Sequence, residues 1–105
     1  MDIFCEIINT EEQRPFLFED DDLIIVTSIH PVAEKHFLVI PKRHIETVAQ
    51  AEAQDEALIG KMIVAAKKFA AEQGVHDFKL IFNAGRYVEV PHLHLHILCG
   101  EIKNS

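Results

Sequence analysis

The chain has 105 residues, of which 49% are hydrophobic and 26% charged, with a formal charge of −7 at neutral pH. This composition excludes a collagen-like, low-complexity or disordered chain, and the length predicts one compact domain over residues 1–105. The acidic balance argues against a nucleic-acid binder, and no apolar run approaches the roughly 18 residues of a membrane span.

The start, MDIFCEII, carries Asp2 and no basic residue, unlike a signal peptide. The two cysteines, Cys5 and Cys99, give no disulfide framework, so a reducing cytoplasmic setting is expected. Asp2 to Asn9 predicts a short helix, with Asp2 as N-cap and Ile3, Phe4, Ile7 and Ile8 on one face. Residues 14–19 predict a strand, Asp20 to Asp22 an acidic turn, and Leu23 to Thr27 the returning strand of a hairpin. Ser28 to Lys35 reads as a loop containing Pro31. Phe37 to Ile40 is apolar on both alternating faces, which predicts a strand covered on both sides and ended by Pro41. A long helix is predicted over about 53–73, with Gly74 as its C-cap. Its apolar arc is wide enough to cover the sheet and also a second subunit, although generous burial of an alanine-rich helix accounts for it equally. Phe78 to Asn83 and His92 to Cys99 predict two more strands, separated by a loop containing Gly85 and Pro91. The fold class is α+β: an antiparallel sheet of about five strands, one long helix and a short N-terminal helix.

Three of the seven histidines alternate in the last strand, His92-Leu93-His94-Leu95-His96-Ile97-Leu98. Period-two geometry places His92, His94 and His96 on one face and Leu93, Leu95 and Ile97 on the core face. Each i, i+2 step spans about 7 Å at a rise of ~3.3 Å per residue. Two chemistries suit such a row. The imidazoles could ligate a metal, or one neutral imidazole could attack phosphorus while its neighbours hold the phosphate oxygens.

His92 to Leu98 matches the pattern His-φ-His-φ-His-φ-φ, with φ apolar, and so resembles the histidine-triad (HIT) family. Phe37 to His44 resembles the family's strand and turn before its long helix. Asn83 with Gly85 resembles its loop before the triad, Ile3-Phe4-Cys5 its entry, and Leu98-Cys99-Gly100 the ending of its Hint branch. The resemblance runs from about Asp2 to Gly100. It implies hydrolase or transferase chemistry on the α-phosphate of a purine nucleotide or nucleotide conjugate, with phosphoramidates as substrates. His94 would be the nucleophile, His92 and His96 would contact phosphate oxygens or assist the leaving group, and His44 would support them. Asn83 would bind phosphate or sugar, and Ile3, Phe4, Ile7, Val26 and Ile29 would wall the base pocket. The resemblance also implies a homodimer and no metal or other cofactor.

Some positions depart from the family pattern. Tyr87-Val88-Glu89-Val90 stands where Gly-Gln-Ser/Thr-Val is common, so an amide is missing at Val88 and a carboxylate replaces a hydroxyl at Glu89. A negative charge beside phosphate is costly unless it pairs or faces away. Ser28 stands where an acidic residue grips ribose hydroxyls, and the loop is about two residues shorter than in the Hint branch. These departures motivate a second reading, a nucleotide- or partner-binding module with little catalysis. A third is a metalloprotein using the three histidines. Asp2, Cys5, His44 and His92 could in principle form a zinc set, but a thiolate is missing. His30, His36 and His76 carry no motif and are expected at the surface or a strand edge.

Overall fold

The computed structural model describes residue 4 and residues 15–103. The expected N-terminal helix, with Asp2, Ile3, Cys5 and Ile7, lies outside these residues except for the helical Phe4. Five strands form one antiparallel sheet: β1 (Phe18–Glu19), β2 (Leu23–Thr27), β3 (Ala33–Pro41), β4 (Phe78–Ile81) and β5 (Leu95–Ile102), in the order β1-β2-β3-β5-β4. One helix, α1 (Glu56–Glu72), lies between β3 and β4 in sequence. Among the described residues no helix is long and apolar enough to cross a membrane.

The β1–β2 turn is tied by the Asp20 carboxylate, which accepts hydrogen bonds from the Asp22 and Leu23 amides, each at 2.8 Å. Lys61 of α1 pairs with Asp20 and Asp22 at 3.0 and 2.6 Å, fastening the turn to the helix. β1 is shorter than the expected 14–19 strand, though Leu17 extends the pairing by donating to the Ile25 carbonyl. Pro15 has no N–H to offer such a ladder. β3 starts at Ala33, inside the expected loop, because β5 runs on to Ile102 and supplies partners. A bulge between Ala33 and Lys35 absorbs the misfit. Opposite it, Gly100 adopts φ 77°, and a Cβ there would meet Glu34 at 2.7 Å.

The helix is also shorter than predicted, because residues 53–55 form a separate 3-10 turn. The Asp55 side chain accepts from the Glu52 amide and pairs with Arg43, which anchors the helix entry to the turn after β3. Gly74 takes the left-handed conformation, φ 74°, just past the helix, as expected.

Alternation divides the sheet. Leu23, Ile25, Val39, Leu95 and Ile97 pack with Met62, Ala66 and Phe69 of the helix. Ile24, Val26, Leu38 and Ile40 point to the other face and pack with Phe4. Leu38, Val39 and Ile40 are all buried, so β3 is covered on both sides, as its unbroken apolar run requires. His36, Leu38, His96 and Leu98 line a cavity on the face away from α1.

Candidate active site

β5 enters the ladder only at Leu95, so His92 and His94 precede the strand rather than lying within it. His96 is the one triad member paired in the sheet, opposite Leu38 on β3 and Ile81 on β4. The chain nonetheless brings the rings together: His94 and His96 have centroids 4.8 Å apart. His92 diverges. It is fully buried, its Nε2–H donates to the Pro41 carbonyl at 2.8 Å, and its ring meets the His44 ring edge-on at 4.9 Å. The three imidazoles therefore do not share one open face.

A cavity of about 320 Å³ opens beside the pair, within the size range of small-ligand sites. His36, His94, His96 and Asn83, with Ser28, His30 and Glu89, supply its polar lining, and Phe4, Val32, Leu38, Ile81 and Leu98 contribute apolar surface. Of the residues expected in a nucleotide site, Phe4, Ser28, Ile29, Asn83, Glu89 and Val90 line this space together with His94 and His96. Ile29 is 59% exposed, at the rim. Val26 lies in the core with Leu38 and Ile40, fully buried, and does not line the cavity. His92 and His44 also lie outside its lining; His44 is exposed and reaches the site through its contact with His92. Ile3 and Ile7 lie outside the described residues.

Tautomers follow from the hydrogen bonds. A carbonyl can only accept, so His94 donates its Nδ1–H to the His92 carbonyl at 2.7 Å. The lone pair of neutral His94 is then on Nε2. The Val32 amide donates to His36 Nδ1 at 3.1 Å, which places the His36 proton on Nε2. That proton is donated to His96 Nδ1 at 2.8 Å. Neutral His96 consequently carries its own proton on Nε2, which faces the Asn83 side-chain amide at 3.2 Å. The atom placed there is Asn83 Nδ2, and two donors cannot bond, so the proton arrangement requires the amide turned by 180° with its oxygen accepting. A directed chain thus runs from the backbone of Val32 through His36 and His96 to Asn83.

The electrostatics keep this chain neutral. Burial, reinforced by the nearby imidazoles of His94 and His36, pushes His96 down to about 4. Burial and the His94 imidazole likewise lower His36, opposed by the Glu89 carboxylate. Neutral imidazoles can donate and accept in a fixed direction, whereas imidazolium can only donate.

His36 is the cavity residue that sequence reasoning places wrongly: it is buried, 4% exposed, and not a surface histidine. Its signal was available in the alternation His36, Leu38, Ile40 along one strand, but it becomes meaningful only when β3 is paired with β5. His36 sits opposite Leu98, and its ring reaches diagonally to His96. The reading of the triad as three converging metal ligands is not supported, since both nitrogens of His96 are engaged by His36 and Asn83 and His92 donates to Pro41. Among the described residues, no group of three or more His, Cys, Asp and Glu side chains could hold a metal ion. Asp2 and Cys5 of the suggested zinc set lie outside those residues.

The family model described as "Scavenger mRNA decapping enzyme C-term binding" matches residues 1–105. An uncharacterised HIT-like protein of Synechocystis sp. is 40% identical over 101 residues, which are 93% of this chain and 89% of the relative. A solved histidine triad protein from Clostridium difficile has a TM-score of 0.89 at 34% identity, covering 98% of this chain and 93% of its own. A HIT family hydrolase from Clostridium thermocellum has a TM-score of 0.88 at 34% identity, covering 94% and 90%.

Proposed function

Because the chain belongs to the histidine-triad family, a family of nucleotide-binding proteins, we propose that it is a hydrolase of nucleoside phosphoramidates or related nucleotide conjugates, with His94 as nucleophile. The observation that carries this reading is the 2.7 Å bond from His94 Nδ1–H to the His92 carbonyl, which leaves the attacking lone pair on Nε2 of a residue lining the cavity. Attack at phosphorus forms a P–N bond to His94 and breaks the bond to the leaving amine, whose nitrogen keeps the electron pair and takes a proton. Water then attacks the nucleotidyl-histidine, the imidazole recovers its lone pair, and one proton is returned. The net change is one water added across the P–N bond. The carbonyl of His92 stabilises the positive charge that develops on the imidazole. With its side-chain oxygen held by His96, Asn83 offers its N–H groups to the phosphoryl oxygens, and the apolar wall from Phe4 to Leu98 accommodates a base. His92 and His44 support the His94 backbone from beneath.

His94→Ala is expected to abolish turnover of an adenosine phosphoramidate while retaining AMP binding. Mass spectrometry of quenched wild-type protein should find the nucleotidyl adduct on His94. Turnover preserved in His94→Ala rejects the role.

The Glu89 carboxylate in the cavity favours a second reading, a binding module with little catalysis. AMP binding by wild-type protein without turnover of any phosphoramidate selects that reading. A homodimer in the cytoplasm completes the proposal. It is supported by Ile63 and Val64, which are 42% and 48% exposed on the helix, and by the free thiol of Cys99.

A further inference from the structure

The charge inventory of the cavity is unusual for a site that handles phosphate. Among the described residues neither lysine nor arginine lines it, and its titratable lining consists of His30, His36, His94, His96 and Glu89. His36 and His96 are held neutral by burial and by the neighbouring imidazoles. Glu89 is exposed, forms no ion pair among the described residues, and its field reaches His36. Among the described lining residues, Glu89 is therefore the one carboxylate and no lysine or arginine balances it, on a chain whose net charge is already −7.

A phosphoryl group entering such a site meets no lysine or arginine among the described residues. Glu89, on the loop leading into the triad five residues before His94, lines the same cavity as that histidine. A second or third phosphate placed there meets a like charge, and because Glu89 is exposed the repulsion is screened by salt. An ammonium placed there meets an unpaired carboxylate. Discrimination of this kind uses repulsion of the wrong partner as well as attraction of the right one.

We propose that Glu89 selects the leaving group by charge, so that the site favours nucleoside phosphoramidates whose leaving amine bears a further cationic group and turns away conjugates whose leaving group is a phosphate chain. The inference rests on the hydrolase reading above and deepens it. The chemistry is unchanged: the P–N bond breaks, the electron pair stays on nitrogen, the amine departs with a proton, and water regenerates His94. The remote cation takes no part in bond making and acts only through its attraction to Glu89.

Three probes share the adenosine 5′-phosphoryl group: the N-butyl phosphoramidate, the N-(3-aminopropyl) phosphoramidate and a dinucleoside triphosphate. Wild-type protein is expected to show kcat/KM about fivefold higher for the aminopropyl than for the butyl probe at low salt, an advantage that shrinks as salt is raised. Glu89→Gln should bring the ratio to about one and improve the triphosphate relative to the butyl probe. Glu89→Lys should invert the preference. Turnover of the butyl probe with ratios unchanged across the three proteins, or insensitive to salt, overturns the charge selection and leaves the hydrolase reading standing. Absence of turnover of all three probes by the wild-type protein overturns both.

Discussion

His36 and His96 face each other diagonally across the β3–β5 pair, with Nε2 of the first 2.8 Å from Nδ1 of the second. Because the Val32 amide determines which nitrogen of His36 carries the proton, one backbone N–H determines the tautomer of a triad histidine that lines the cavity.

Breaking that chain should disable the site without unfolding the protein. His36→Ala is expected to lower kcat/KM for a phosphoramidate by roughly 10- to 100-fold, the cost of a misplaced catalytic group. His36→Gln, which retains a donor and an acceptor, should lose less. Circular dichroism and steady-state kinetics on both variants check this.

The tautomer chain also predicts a pH signature. An exposed histidine of the unfolded chain takes its proton near 6.5, whereas folded His96 resists until about 4. The unfolded state therefore binds more protons between those values. Stability from this residue is complete above 6.5, declines as the pH falls, and is lost by about 4. The lowering of His36 acts in the same direction. Thermal melts should fall across this window, and His96→Asn should flatten the decline. An NMR titration should give a midpoint near 4 for His96.

The acidic turn is a stability element independent of the site. Asp20→Ala removes the acceptor for two amides and a partner of Lys61, and is expected to cost about 1 kcal/mol. Burial tends to raise the Asp20 carboxyl, but the Asp22 and Leu23 amides and Lys61 hold it below the ordinary value. This contribution is present above the unfolded carboxyl value and disappears as the pH falls through the folded one. Urea unfolding at pH 7 and pH 3 checks both statements.

Ile97 tests the other face of β5. It is fully buried between the sheet and α1, and Ile97→Ala should cost about 2–5 kcal/mol. At a temperature where the variant remains folded, its phosphoramidate KM should stay close to wild type, since Ile97 does not line the cavity.

Exposed Ile63 and Val64 yield a prediction for assembly. Ile63→Lys should shift the proposed homodimer toward monomer in sedimentation velocity. An unchanged sedimentation profile removes α1 from the interface.

Much of the fold was legible in local sequence patterns. Leu23-Ile24-Ile25-Val26-Thr27 spans β2 residue for residue, since a run rich in β-branched residues suits a strand. Leu95 and Ile97 are core because their spacing already separated them from His96. Pairing-dependent features were hidden. Ala33 to Lys35 reads as part of a loop until β5 is laid beside it. His36 becomes a partner of the triad only through the diagonal of an antiparallel register. The burial of His92 depends on its bond to the Pro41 carbonyl, from a residue remote in sequence. Val26 fits a pocket wall by position, but the core with Ile24 and Ile40 encloses it.

The two-faced character of β5 bears on how this chain can vary over evolutionary time. Leu95 and Ile97 face the helix while His96 and Leu98 face the cavity, so deleting one codon between Leu95 and Cys99 would exchange the two sets downstream. Imidazole would enter an oily layer and aliphatic carbon the reaction chamber, so folding and chemistry would fail together. The connection from Ala84 to Pro91, which includes a 3-10 turn but no ladder, has no such parity to preserve. Lineages can lengthen or shorten it to try new substrates while the strand behind it stays in frame.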